Sequence, residues 1–299
     1  MRVIMVWLGL AVLTIPRVAS ADVHATNGPL DPSVIEALTG VSGQWQDDSA
    51  FKVSVPRSDL DVSVNGIRIS PPMGLTSWAS FKRVGDRVVI MGDVVLLESQ
   101  VSPVMDAALA GGLRITALHN HFLHDQPRIM FMHLGGHGRT EDLALAVGAV
   151  FRAIAAGSPE PTTVPSTGAT PLQQTELEGI LGRTGQMSNG VFRVVIDKPT
   201  NVDGHAVGKE MGVNTWAAFQ GTSEQAAVAG DFAMYEDELD AVIRALRAAG
   251  IHVVAIHSHM VHETPRVIFL HYWGEGPAAA LARGIRAALD AQESVAQAQ

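Results

Sequence analysis

Residues 119–133 read HNHFLHDQPRIMFMH, and residues 257–271 read HSHMVHETPRVIFLH. Four histidines, a Pro-Arg pair and a run of β-forming residues therefore occur twice, with the same spacing and 138 positions apart. A pattern of this length that recurs within one chain indicates an internal duplication, and the repeat decides how the rest of the sequence is divided.

The duplication extends well upstream of the histidines. Residues 33–45 match residues 175–187 at an offset of 142, so the first copy carries a few extra residues before the offset becomes 138. A segment rich in Pro, Thr, Ser and Gly separates the copies, which is typical of a linker. The sequence therefore predicts a first repeat over 30–157, a linker over 158–171 and a second repeat over 172–294.

Each copy shows the pattern of an α+β fold. Stretches dense in β-branched residues at 51–56, 78–84 and 87–98 predict strands, and amphipathic stretches that end at glycine predict helices. We therefore expect two tandem homologous two-layer α/β modules, each an antiparallel sheet with helices packed on one face. The strand order stays open. Trp78 and Trp216 are predicted to anchor the core of their own copies.

The first 21 residues have the features of a secretory signal peptide. Arg2 precedes an apolar stretch, and Ala19-Ser20-Ala21 fits the small-x-small pattern of a cleavage site. We expect cleavage after Ala21, a periplasmic or secreted protein, and no integral membrane domain after cleavage. An uncleaved N-terminal anchor is the alternative, and it also places the remaining chain outside the cytoplasm.

The charge balance and the lack of cysteine narrow the functional classes. A formal charge of −9, with 30 acidic against 21 basic residues, argues against binding to nucleic acid or to anionic lipid, because both partners require a basic surface. The chain has no cysteine, so it has no disulfides and no thiolate ligands. Any metal must therefore bind His, Asp, Glu or backbone oxygen.

The two histidine motifs predict metal sites. Side chains alternate along a strand, so His119 and His121 point to one face, and a turn near Gln126 places His133 opposite His119. The same construction applies to the second copy, with a turn histidine as a fourth donor in each. The predicted ligands are His119, His121, His124, His133, His257, His259, His262 and His271.

Imidazole donors of this kind suit a divalent transition metal such as Zn, Cu, Ni or Fe. A set of histidines and carboxylates without thiolate favours an open, catalytic or exchanging site over a structural zinc site. The carboxylates that would complete the shells are Asp93, Glu98, Asp231 and Glu236. A hydrogen-bonded cluster of histidines without metal is the alternative.

An enzymatic role would require further groups beside the metal. The candidate catalytic residues are Glu98, Glu236, Arg128 and Arg266. In this interpretation the glutamates act as general bases and the arginines hold an anionic substrate group. The structural alternative pairs the arginines with Asp125 and Glu263 in ion pairs.

The motif GD-(V/F)-x-x-x-E, followed by (L/I)-H-x-H-x-x-H-(D/E)-x-P-R-(V/I)-x-F-x-H, resembles the LppY/LpqO-type bacterial exported proteins. The resemblance covers both copies and thus nearly all of the chain after the leader. It implies an exported, duplicated protein of a family of unknown function, and it brings no mechanism. This chain lacks the lipobox cysteine of the lipoproteins in that family.

The sequence therefore favours an extracytoplasmic protein that binds a divalent transition metal through its duplicated hairpins, in metal storage or handling. A metal-dependent hydrolase or oxidoreductase that uses the same histidines is the first alternative. A non-metal interaction module is the second. The expected partners are a metal ion and a small anionic molecule, and no nucleic acid.

Overall fold

The computed structural model describes residues 30–47, 49–158, 172–202 and 204–297. The predicted signal peptide and, apart from Ser158, the predicted linker lie outside the described residues. Within these described ranges, no helix is long and apolar enough to cross a membrane.

The two halves of the chain contain the same elements in the same order. In the described part of the first half these are α1 (Pro32–Thr39), β1 (Gly43–Gln46), β2 (Ala50–Pro56), β3 (Val62–Val64), β4 (Ile67–Ile69), β5 (Thr76–Val84), β6 (Arg87–Leu97), α2 (Val101–Ala110), β7 (Arg114–His119), β8 (Asp125–Gln126), β9 (Ile129–Gly138) and α3 (Thr140–Ala156). In the described part of the second half they are α4 (Gln174–Leu181), β10 (Gln186–Ser188), β11 (Val191–Asp197), β12 (Thr200–Val202), β13 (His205–Val207), β14 (Asn214–Gly221), β15 (Ala226–Tyr235), α5 (Leu239–Ala248), β16 (His252–His257), β17 (Glu263–Thr264), β18 (Val267–Gly276) and α6 (Ala278–Gln297).

Each half forms one six-stranded antiparallel sheet. The strand order is β1-β2-β5-β6-β9-β7 in the first half and β10-β11-β14-β15-β18-β16 in the second. Two small three-stranded sheets, β4-β3-β8 and β13-β12-β17, flank them. The predicted α+β class with two homologous modules is confirmed, and the strand order that the sequence left open is the same in both halves.

One face of each sheet packs against the helices of its own half. Phe81, Ile90 and Val94 point to this side and join a core cluster with residues of α1, α2 and α3. Phe219 and Phe232 do the same in the second half. Because strand side chains alternate, the residues between them in sequence point to the opposite face.

That opposite face packs against the other half of the chain. One apolar cluster combines Val95 and Phe131 of the first half with Ala229 and Trp273 of the second. The apolar side chains on both faces of a sheet must be shielded from water. Here the helices of the same half cover one face, and the other half of the chain covers the second. The region between the two sheets is therefore an interior of the molecule, and it contains the histidines.

Each half places a glycine against the tryptophan of the other half. Gly74 lies under the ring of Trp216, and Gly212 lies under the ring of Trp78, as two-fold related contacts do. The prediction that each tryptophan anchors the core of its own copy is therefore wrong. The alternation of β5 and β14 turns this position away from the helices and toward the other half.

A pair of alanine substitutions tests this packing between the halves. Gly212 has a φ of 85°, and an added Cβ would lie 2.4 Å from Trp78, whereas Gly66 has a φ of 82° and open space around it. We expect Gly66→Ala to lower the free energy of unfolding by about 1 kcal/mol through backbone strain alone. Gly212→Ala should lower it by about 2 kcal/mol more, since the overpacking adds to the strain. Equal losses in urea unfolding would contradict the reciprocal contact.

Candidate metal centre

The histidine hairpins end at the face between the two sheets. His119 is the last residue of β7 and His133 lies within β9, but His119 is opposite Phe131, and Ala117 is opposite His133. The predicted register is therefore wrong by two residues. The chain leaves the hairpin after His119 and pairs β8 with β3, and β7 contains an irregularity between Ile115 and Ala117. His119 and His133 still share a face, because a shift of two residues preserves the alternation.

Six imidazoles meet between the sheets, three from each half. They belong to His119, His121, His133, His257, His259 and His271, which we call the histidine cluster. The ring centroids of His119 and His257 lie 3.9 Å apart, across the approximate two-fold axis. Two reciprocal pairs are equally close, His121 with His271 at 3.7 Å and His133 with His259 at 3.9 Å. The two predicted sets of ligands thus form one cluster that both halves share.

Three groups within the cluster place one nitrogen per residue within 4.8 Å of one another. They are His119, His121 and His271; His119, His133 and His257; and His257, His259 and His271. The closest atoms, Nε2 of His119 and Nε2 of His271, are 3.1 Å apart. Two nitrogens that bind one tetrahedral ion at about 2.0–2.1 Å lie roughly 3.4 Å apart, so this pair has the separation of co-ligands.

Backbone carbonyl groups of β6 and β15 orient two histidines of the cluster. Nδ1 of His271 lies 3.3 Å from the carbonyl oxygen of Gly230, and His133 makes the equivalent hydrogen bond with the Gly92 carbonyl. An imidazole that donates from Nδ1 keeps its Nε2 lone pair free for a metal, and metal-binding histidines are commonly fixed in this way. The glycine of the GD motif is explained by the neighbouring strand, because a Cβ at Gly92 would lie 2.7 Å from the Trp78 carbonyl oxygen and a Cβ at Gly230 would lie 2.2 Å from that of Trp216.

The two aspartates of this motif are buried beside the cluster. Oδ2 of Asp93 lies 3.6 Å from Nε2 of His121, and Oδ2 of Asp231 lies 3.3 Å from Nε2 of His259. Burial raises the pKa of Asp93 to about 8. Burial, and then the charge of Asp93, raise the pKa of Asp231 well above its usual range. Both carboxyl groups therefore retain protons in the metal-free chain at pH values where surface aspartates are ionised.

Many polar atoms of the cluster lack hydrogen-bond partners in the structure. In the described part of the chain, ten buried side-chain nitrogen or oxygen atoms have no hydrogen-bond partner, and nine of them belong to the cluster or its two aspartates. Unpaired buried polar atoms are costly and rare in native proteins. They are concentrated at the residues that could hold a metal ion.

The cluster has the protonation state that metal binding requires. Burial, followed by the repulsion of neighbouring imidazoles, lowers the pKa of His119 far below its ordinary value, and burial lowers the pKa of His257 to about 4. The pKa values of His121, His133, His259 and His271 are lowered for the same leading reason, their burial. Neutral imidazole is the form that binds metal.

The structure separates the two turn histidines from this cluster. His124 and His262 are exposed, and both have positive φ values, 61° and 66°, in the turns after β7 and β16. Neither residue belongs to the three groups of possible ligands in the described chain. Their role as fourth ligands stays a prediction that the geometry does not favour.

The four candidate catalytic residues also lie outside the cluster. Glu98 and Arg128 are exposed, and Nη1 of Arg266 lies 3.7 Å from Oε1 of Glu236, with both side chains more than half exposed. The acidic residues that were expected to pair with the arginines accept backbone hydrogen bonds instead. Asp125 accepts a hydrogen bond from the Ile129 backbone nitrogen at 2.6 Å, and Glu263 accepts one from Val267 at 3.4 Å. The predicted ion pairs are replaced by these turn contacts, and the catalytic roles stay predictions.

A cavity of about 230 Å³ adjoins the histidine cluster between the sheets. Besides Trp78 and Trp216, its walls include Lys52 and Arg193, two residues that the sequence did not single out. They occupy equivalent positions, each two residues before the residue opposite the tryptophan of its half. Each copy has a basic residue at this position. The pair lies upstream of the segment in which the copies are 138 residues apart, so an alignment at that offset does not bring the two residues together.

Comparison with known proteins identifies both repeats. Residues 33–153 and 175–291 each match the family described as Domain of Unknown Function (DUF1259). A search among curated proteins gives no match. The predicted duplicated domain of unknown function is confirmed by the two matched segments.

Solved structures give only distant similarities. EtuB from Clostridium kluyveri is 11% identical with a TM-score of 0.24, over 85% of this chain and 91% of that chain. A trimeric bacterial microcompartment shell protein, PduB, is 9% identical with a TM-score of 0.20, over 83% and 89%. The fused permuted hexameric shell protein MSM0275 from the RMM microcompartment is 14% identical with a TM-score of 0.18, over 72% and 85%. These similarities are too low to bear on function.

The lowered histidine pKa values predict that acid destabilises the metal-free protein. Unfolded histidines titrate near 6.5, so below that pH the unfolded chain binds protons that the folded cluster does not. The resulting loss of stability continues to about pH 4 for His257 and to lower pH for the other five histidines. The two aspartates act in the opposite direction, because their raised pKa values favour the folded state at low pH and weaken it toward pH 8. Six histidines outweigh two aspartates, so stability should be highest near neutral pH.

Urea unfolding of chelator-treated protein at pH 5, 6.5 and 8 measures this profile. The double variant His124→Ala/His262→Ala is the matched control, because it removes two exposed histidines and should leave the profile unchanged. A urea midpoint at pH 5 as high as the midpoint at pH 6.5 would refute the prediction.

Proposed function

The chain belongs to the DUF1259 family, and we propose that it is a metal-binding protein whose one centre holds a divalent transition metal between its two halves. One observation carries the proposal: six neutral imidazoles from both repeats, five of them buried and that of His257 partly buried, converge with their ring nitrogens largely unpaired. An ion bound by three of these residues would satisfy the nitrogens that no protein group satisfies.

The alternative of a purely structural histidine network has less support. A structural network pairs its buried donors and acceptors, because each unpaired group costs about 1–3 kcal/mol. Within the cluster, the only contact between ring nitrogens in the described structure is that of His119 with His271. The same cost argues against the non-metal interaction module.

The donor set suits Zn, Cu, Ni and Fe(II) alike, since all accept imidazole nitrogen. The two halves supply the donors together, and two of the three ligand groups contain residues from both repeats. The third group, His257, His259 and His271, is the set that the sequence predicted for the second hairpin, and it lies within one repeat. Because all three groups share residues, we propose one centre per chain.

Two further parts of the proposal rest on sequence alone. The predicted signal peptide supports a centre that is loaded outside the cytoplasm. The GD and H-x-H motifs support membership in the LppY/LpqO-type branch of exported proteins. The carbonyl group of the GD glycine contacts a histidine of the cluster, and the H-x-H histidines belong to the same cluster. This contact supports the interpretation that the two motifs serve one site.

The cavity beside the centre favours a metal-dependent enzyme over metal storage. His121, His259 and His271 line it together with Asp93 and Asp231, so a small molecule in the cavity would touch both ligands and acids. A carboxyl group with a pKa of about 8 can exchange a proton near neutral pH, as a general acid or base must. Storage needs no such cavity, and burial between the sheets hinders rapid exchange.

Metal content tests the centre. Protein that is expressed with its own leader and purified without a histidine tag should contain a transition metal in stoichiometric amount by mass spectrometry. His119→Ala/His257→Ala should lose it, because these two residues belong to all three ligand groups between them. The control His124→Ala/His262→Ala should retain it, and circular dichroism verifies that both variants are folded. Wild-type protein that stays metal-free after reconstitution would refute the proposal.

The rate of metal loss separates the two functional classes. An enzyme centre buried between two sheets should release its ion to excess chelator slowly, in step with transient opening of the halves. Gly212→Ala weakens the contact between the halves, so it should speed the release, whereas Gly66→Ala should not. Release within the mixing time in the wild type would support storage or handling instead.

A further inference from the structure

Two partly buried cations line the cavity beside the histidine cluster, and the nearby carboxyl groups of Asp93 and Asp231 favour their charged forms without forming an ion pair in the described structure. Lys52 and Arg193 lie on β2 and β11 and face each other's half across the cavity. Nζ of Lys52 lies 3.9 Å from the ring centroid of Trp78, and the guanidinium carbon of Arg193 lies 4.3 Å from that of Trp216. Among the residues that the structure describes, neither cation forms an ion pair or a hydrogen bond.

This arrangement is costly unless something neutralises it. Burial, and then the charge of Arg193, lower the pKa of Lys52 to about 7, and burial lowers the pKa of Arg193 to about 10. Contact with a tryptophan face stabilises a cation less than a charged hydrogen bond with an oxyanion would. Both halves nevertheless place a cation at this equivalent position.

The two ends of the cavity differ in character. Its inner end is formed by the histidine cluster with Asp93 and Asp231. Its outer end opens into a larger cleft of about 610 Å³, which shares Lys52, Arg193 and Asn214 with it. The three shared residues therefore stand between the surface cleft and the histidine cluster, at the point that an entering molecule passes.

Other charges of the cleft are already paired. Nζ of Lys209 lies 3.1 Å from Oδ2 of Asp47, and Glu210 accepts the ammonium group of Lys82. The acidic groups of the cleft are thus occupied with surface lysines, and Lys52 and Arg193 remain as its unpaired charges. A molecule that enters meets positive charge.

We propose that this cavity binds a small oxyanionic molecule, a carboxylate or a phosphate, which Lys52 and Arg193 hold at its outer end beside the histidine cluster. The cavity volume corresponds to several water molecules at about 30 Å³ each, which sets the size at roughly ten or fewer non-hydrogen atoms. The tryptophans form apolar side walls. That the inner end of the molecule meets a metal ion rests on the proposed function, whereas the anion site itself does not.

Isothermal titration calorimetry tests the site with inorganic phosphate, with succinate and with uncharged succinamide, at constant ionic strength. Each titration is run on the protein as isolated and after chelator treatment, and the metal content is measured in the same samples. At least one oxyanion should bind and succinamide should not. The anion that binds more tightly distinguishes a phosphate ligand from a carboxylate ligand.

Charge removal assigns the binding to the two cations. Lys52→Met and Arg193→Met should each weaken anion binding by about tenfold or more while metal content is unchanged. Lys209→Met removes a cation of the outer cleft that is 48% exposed, and should leave anion binding unchanged. Removing an unpaired buried charge should not unfold the protein, and thermal melting verifies this.

Failure of this inference differs from failure of the proposed function. Wild-type protein that binds neither anion, or Lys52→Met and Arg193→Met variants that bind as the wild type does, would overturn the anion site even with metal present. Anion binding with the expected losses in a protein that never takes up metal would uphold the anion site and overturn the metal centre.

Discussion

The enclosure of six neutral imidazoles between two sheets is the constraint on which the rest of the structure depends. Each sheet covers one face with its own helices and needs the other half to cover the second. Because the histidines lie on that second face, the packing of the halves and the assembly of the cluster are one event. The cost of desolvating unpaired nitrogens is then offset by the apolar contacts around them, such as the cluster that joins Phe131 to Trp273.

The same constraint explains why the residues around the centre are small, aromatic or backbone. Gly74 and Gly212 permit the tryptophan of the opposite half to approach, and the carbonyl groups of Gly92 and Gly230 fix two rings from behind. A Cβ at Gly74 or Gly212 would meet that tryptophan, and a Cβ at Gly92 or Gly230 would meet the tryptophan carbonyl oxygen of the neighbouring strand. The centre therefore depends on backbone geometry as much as on its donors.

Much of the fold was accessible from the sequence, because period and repeat are local signals. The density of β-branched residues within 87–98 predicted a strand, and the duplicated histidines marked which residues act together. Alternation along a strand tells which face a side chain occupies but not what covers that face. Sequence reasoning therefore considered each hairpin by itself, assigned Trp78 to the wrong core and missed Lys52. The register of His119 depended on where the hairpin ends, and this is decided by the pairing of β8 with β3.

A centre on an approximate two-fold axis has two equivalent sides, and duplication within one chain is what allows them to differ. In a homodimer both sides would carry the same cation, whereas here one side carries Lys52 and the other Arg193. Thr76 lines the cavity on one side, and Asn214 occupies the equivalent position on the other. The donors of the cluster are the same in both halves while the walls of the cavity are not. A ligand in the cavity therefore meets two unlike sides, and it can bind in one orientation relative to the histidines.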